Sequence, residues 1–404
     1  MEKRKYERAG REIRLAGLCL CLLFVAIEGF AVMGVYESIE PYWVRISVIE
    51  AAMLVPTLIF LCLGPKQYIL MLRIKPVKIR VVLLAFVVEI CISPLLGLCN
   101  LITQLFTPNV VETALEPVMG ETPYAMMVVG MVICPAVFEE LYSRGIMLSA
   151  FKTSGRRLAA ILFTALCFAL PHGNLNQFAY GFVAGLFMCI VVEATDSVLT
   201  SMAMHFVTNF ISVTTMYYLH YIEVAARQTN ELMGLPEDSG SKFAEIIETE
   251  AFAPVLITME VITFVLVAAL AFLGLLAAYR LIGYMSVLSG RYDYIKKVIP
   301  QGGIFRLRSK YDQMREEKEK GVSGGSDGYH GIGVSGDSDG YHGIGVSGEF
   351  RKDPGSGAET IPGDVLSEMP KTKIMNPLLI VGIVLWAGFA VLYELVIHGV
   401  FTVG

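Results

Sequence analysis

Six predominantly apolar runs, at residues 15–35, 42–63, 81–105, 124–150, 252–284 and 374–397, leave this chain of 404 residues little choice of fold. A helix needs about 20 such residues to cross a bilayer. Three further spans fit between residues 158 and 218, separated by 171–176 and 194–197. With 55% hydrophobic residues and only 17% charged, the chain holds more apolar surface than a soluble protein can hide. The expected fold is an all-α, polytopic transmembrane helical bundle of about nine spans, eight at the fewest.

Charge in the connecting segments gives the direction of travel. The first span follows MEKRKYERAGREIR, with six basic residues, and no small-residue cleavage site ends it, so it reads as an uncleaved anchor with a cytoplasmic amino terminus. Basic residues crowd 66–80, 152–157 and 291–310, all inside if nine crossings alternate. Residues 37–41 and 107–122 carry acids and no Lys or Arg, and 223–250 is mostly acidic, as outer loops should be. Arg45, near the outer start of the second span, is the one awkward charge. The expected location is an integral protein of the cell membrane.

Several features invite over-reading. All eight cysteines (Cys19, Cys21, Cys62, Cys91, Cys99, Cys134, Cys167, Cys189) lie in apolar runs without zinc or redox spacing and read as packing residues. From Val322 a tandem repeat, VSGGSDGYHGIG then VSGDSDGYHGIG, reads as a flexible linker. Its two dinucleotide-like glycine patterns, beginning at Gly331 and Gly343, neither follow a strand nor open a helix, and His330 and His342 make a poor metal site. Gly181 and Gly185 form a small-xxx-small face for close helix approach. Lone acids at Glu28, Glu50, Glu89, Glu260 and Glu394 read as structural one by one, and together keep an ion path open as a reading. No basic patch with interleaved aromatics points to nucleic acid.

Chemistry concentrates in three motifs within about seventy residues. They are Glu139-Glu140 with Arg144, Phe168 with His172, and His205 with Asn209. Positions i and i+4 share a helix face, so Glu140 can pair with Arg144, and His205 with Asn209 can face one cavity. At about 1.5 Å of rise per residue, the three motifs lie on the order of 13 to 22 Å from the basic ends of their spans, deep enough to meet. A carboxylate that takes a proton from water, imidazoles that orient it or protonate a leaving amine, and an amide that stabilises an oxyanion suit peptide hydrolysis. A second scheme makes Glu139, His172 and His205 three ligands of a divalent ion such as zinc, with water in the open position.

These residues resemble the CAAX-processing and bacteriocin-processing membrane protease family, marked by EExxxR, FxxxH and HxxxN motifs on consecutive membrane helices. The resemblance covers about residues 124–218, with no departure at the key positions. It implies an intramembrane endopeptidase in which Glu139 activates water with His172, His205 and Asn209 stabilise the oxyanion, and Glu140 with Arg144 holds the site. Its members are commonly labelled metalloproteases, although a metal-free glutamate mechanism is also argued. The implied partners are a peptide or membrane-protein substrate and the lipid bilayer. The expected organisation is N-terminal helices (1–121), a protease-like core (122–220), an acidic outer loop (221–251), a helix (252–290), a cytoplasmic linker (291–373) and a last helix (374–404). An ion-coupled transporter and a noncatalytic scaffold stand as the other readings.

Overall fold

The computed structural model describes residues 2–109, 111, 115, 118–233, 253–299 and 372–398. The tandem repeat, its glycine patterns, His330 and His342 lie outside them. Among the described residues the chain is helical, with no strand. Among the described residues seven helices are long and apolar enough to cross a membrane: α1 Glu7–Val32, α2 Tyr42–Leu63, α3 Ile79–Gln104, α4 Tyr124–Lys152, α6 Leu175–Thr195, α8 Pro254–Leu288 and α10 Pro377–Val396. The helix α5, Arg157–His172, is apolar but shorter. The helix α7, Val198–Leu232, is 35 residues long, and a short α9, Tyr292–Val298, follows α8.

The two expected spans outside the seven, α5 and α7, each have a local cause. Pro171 at the end of α5 cannot continue an α-helix, and Gly173 turns the chain with φ +69°, a left-handed value that suits glycine. Along α7 the polar series Ser201, His205, Thr208, Asn209, Ser212 and Thr214 dilutes the apolar character. The residues that make the site are those that make α7 a poor span by composition.

Packing puts α4 at the centre. It touches α1 and α2 on one side and α5, α6 and α7 on the other, while α3 packs against α6, α7 and α8. The long α10 runs along α1, with Trp386 fully buried. Gly185 explains how α5 and α6 come so close: a Cβ there would lie 3.2 Å from Ala165 Cα. Most of α8 faces outward with large apolar side chains, as lipid contact requires.

Within α4 the regular ladder is interrupted twice, by wide π-type turns at Val129–Ile133 and Leu141–Met147. Such turns occur often at functional sites because they re-aim side chains. Pro135 has no N–H for the carbonyl of Met131, and Asn209 of α7 supplies the missing donor, Nδ2 to Met131 O at 3.0 Å. Ser143 Oγ, donating to the Glu139 carbonyl at 2.5 Å, loosens the second turn. Glu139 and Glu140 lie between the two turns.

Candidate active site

Glu140 and Arg144 form the dry centre of the site, both 0% exposed. Arg144 Nη1 donates to Glu140 Oε1 at 2.7 Å and to Ser143 Oγ at 2.9 Å, and Nη2 to the Gly185 carbonyl at 3.3 Å. The same Glu140 Oε1 lies 3.0 Å from His205 Nδ1. A carboxylate cannot donate, so Nδ1 carries the proton and Nε2 is turned to the other side of the ring. Glu140 thus orients His205 as a buried acid orients the imidazole of a catalytic triad.

Glu139, the next residue, is held differently. It is 7% exposed and lies within electrostatic reach of Glu140, His205 and Glu50. Glu50, on α2, brings its carboxyl to within hydrogen-bonding contact of Glu139. Among the described residues, Glu139 Oε2 has no well-formed hydrogen bond. Tyr180 of α6 stands in electrostatic range on a further side.

Phe168 joins the motifs. The Arg144 guanidinium sits 4.0 Å from the centroid of its ring, a cation–π contact. Its edge meets His172 at 5.5 Å and His205 at 5.8 Å between centroids. His172, partly exposed, lies on the 3-10 turn Leu170–His172, and its Nδ1 rests over the Phe168 and Ala169 carbonyls without a well-formed hydrogen bond. The local sequence fixes that turn: Asn174 caps α6 by accepting from Gln177 N at 2.8 Å and donates to the His172 carbonyl at 2.8 Å.

The structure therefore places Glu139, Glu140, Arg144, His172 and His205 around one centre. Asn209, one turn beyond His205, spends one amide N–H on the Met131 carbonyl and keeps the other. Two contributors, Glu50 and Glu89, were not legible in the sequence as parts of the site. Phe168 was legible as part of its motif but not as the joint between the others. Glu50 and Glu89 read as lone acids in distant spans. Glu89 Oε1 accepts from Thr208 Oγ1 at 2.6 Å, and its carboxyl is within electrostatic reach of Glu140 and Arg144. Glu28 and Glu260 take no part.

The three-ligand metal scheme does not fit. Among the described residues no group of three or more His, Cys, Asp or Glu side chains could hold a metal ion.

Residues 121–211 match the family model described as Type II CAAX prenyl endopeptidase Rce1-like. No curated protein and no solved structure matches the chain. The matched segment contains all three motifs and runs from just before α4 into α7. That core is similar to the type II CAAX prenyl endopeptidase Rce1-like family and is set in a larger all-helical membrane bundle.

Proposed function

We propose that the chain is an intramembrane endopeptidase in which Glu139 activates the water that attacks a peptide bond. The observation that carries this reading is the division of labour between adjacent glutamates. Glu140 Oε1 is taken by both Arg144 and His205, whereas among the described residues no ion pair engages Glu139, which lies beside Glu50 at the more exposed edge of the same centre; each carboxylate keeps an unpartnered Oε2. Glu139 accepts the proton of water as it attacks the scissile carbonyl. Glu139 then passes that proton to the leaving amine as the C–N bond breaks, while the second N–H of Asn209 faces the oxyanion and Glu140 holds the His205 ring beside it through Nδ1–H. His172 helps to orient the water.

The resemblance favours a C-terminal substrate of the Cys-aliphatic-aliphatic-any type carrying a prenyl group, with maturation of secreted peptides as the other member of the class. A farnesylated, fluorescence-quenched peptide of that type, given to the purified protein in detergent, tests it. Cleavage by the wild type but not by Glu139→Ala, with both proteins equally inserted and folded, is the expected result. Equal cleavage by both, or none by either on this peptide and on leader-type peptides, would reject the reading in favour of a scaffold.

A further inference from the structure

The groups nearest His172 Nδ1 are carbonyls of its own turn, and no carboxylate among the described residues holds it. One ring nitrogen of a functional histidine is normally held by a carboxylate or carbonyl, which sets ring orientation. Here Nδ1 rests over the Phe168 and Ala169 carbonyls of its own turn without a well-formed hydrogen bond, and the ring lies against the Phe168 edge and Gly181, whose Cβ position would be 3.9 Å from His172 Cε1. Its orientation is therefore inherited from the turn that carries it.

That turn is clamped by α10, which lies outside the matched segment. Leu175 N–H, the first amide of α6, donates to Glu394 Oε1 at 2.7 Å across 219 residues of sequence. A carboxylate at a helix amino terminus satisfies an orphan donor and the helix dipole together. The second oxygen of Glu394 faces His398 Nε2 at 3.8 Å. One turn earlier on α10, Phe389 packs on Gly173, where an added Cβ would sit 2.8 Å from ring atom Cε1.

The clamp is itself anchored. Phe24 of α1 meets Trp386 and Phe389 edge-on at 5.1 and 6.3 Å between centroids. Trp386 Nε1 donates to the Leu20 carbonyl at 3.4 Å, and a Cβ on Gly17 would lie 2.5 Å from Leu379 N. α1 thus fixes α10, and α10 fixes residues 173–175.

We infer that Glu394 and Phe389 are positioning residues for His172, so that α1 and α10 form part of the working site rather than a peripheral anchor. The kinetic half of this inference rests on the proposed protease reading; the structural half does not. Diethylpyrocarbonate labelling of the full-length protein, mapped by mass spectrometry, reads His172 directly, with His220 as internal control. Glu394→Leu should change the labelling rate at His172 several-fold and leave His220 unmoved, while Glu394→Gln, which keeps an acceptor oxygen, should restore it. On the farnesylated peptide, Glu394→Leu should lower kcat roughly tenfold or more at unchanged KM, as a misplaced catalytic group does. Phe389→Ala should shift His172 in the same way.

An unchanged His172 rate in both Glu394→Leu and Phe389→Ala would overturn the clamp, as would parallel changes at His172 and His220 accompanied by a lowered Tm. A shifted His172 rate in a protein that cleaves no peptide would uphold the clamp and reject the protease reading.

Discussion

Two buried ionic clusters lie in this molecule, and they are finished to different degrees. One surrounds Glu140 in the middle of the bundle; the other surrounds Glu193 and Asp196 where α6 ends. In the second, Glu193 Oε1 accepts from Arg73 at 2.7 Å and Lys152 at 2.9 Å, Oε2 accepts from Tyr294, and its carbonyl accepts from Arg291 at 2.8 Å. Asp196 pairs with Arg73 at 3.3 Å and with Lys75. The Tyr294 ring is met by Lys152, Arg157 and Arg291 within 5.4 Å of its centroid. Every carboxylate oxygen there has a partner, and Arg291 Nη2 is the one atom of these residues left buried without a well-formed hydrogen bond among the described residues.

Around Glu140 the contrary holds. Glu139 Oε2, Glu140 Oε2, Glu89 Oε2, Arg144 Nε and His172 Nδ1 are all buried without a well-formed hydrogen bond among the described residues. Unsatisfied buried polar atoms are costly and rare in native proteins, so a concentration of them needs a cause. A satisfied network rigidifies; unpartnered buried polar atoms in a native fold mark strain, a catalytic role or the place of a bound water or ion. The comparison sets a staple, which ties the 66–75 segment, α4, α6 and α9 together, apart from the candidate site.

The contrast is open to attack at both ends. The largest expected effect is at Glu139: Glu139→Gln should lower cleavage of the farnesylated peptide by about 10²- to 10⁴-fold, the usual worth of a general base, with Tm little changed. A large loss of Tm in that variant would make Glu139 structural and dissolve the distinction. Glu193→Leu should do the reverse, costing about 3–5 kcal/mol of stability because Arg73 and Lys152 lose their buried partner. Denaturant titration in detergent measures it, and a stable protein with reduced cleavage would mean that the staple had been misread.

Asn209→Ala sharpens the boundary, since it touches both categories. It leaves the Met131 carbonyl unpartnered, a cost of about 1–3 kcal/mol, and removes a candidate oxyanion donor. Loss of rate beyond what the Tm shift explains would assign it to the chemistry; loss of Tm alone would leave it a cap for the Pro135 gap.

The smallest effect concerns pH. Burial works against ionisation of Asp196, but Arg73, Arg291 and Lys75 outweigh it and hold the carboxyl below its usual range. A depressed carboxyl contributes stability that is complete above its ordinary value of 3.8 and is lost as pH falls below that value through the folded one. Tm should therefore fall on the acid side of 3.8 in the wild type and fall less in Asp196→Asn. Identical acid profiles would remove Asp196 from the staple.

How much of this was legible beforehand follows the range of the interactions. Helical spans are written in local composition, and the Glu140–Arg144 pair in four-residue spacing, so both could be read from the chain. The partner of Glu139 on α2, the Arg73–Glu193 pair and the Glu394–Leu175 contact join residues far apart in sequence, where no periodicity carries a signal. Asn209 illustrates the middle case: its place beside His205 was legible, but its bond to Met131 depends on Pro135 in another helix.

The claim that Glu139 delivers water to a peptide carbonyl has a direct chemical test. Cleavage of the farnesylated peptide in ¹⁸O-labelled water, followed by mass spectrometry, should place one labelled oxygen in the new carboxyl terminus with the wild type and yield no labelled product with Glu139→Gln. Labelled product formed by Glu139→Gln at the wild-type rate would contradict it.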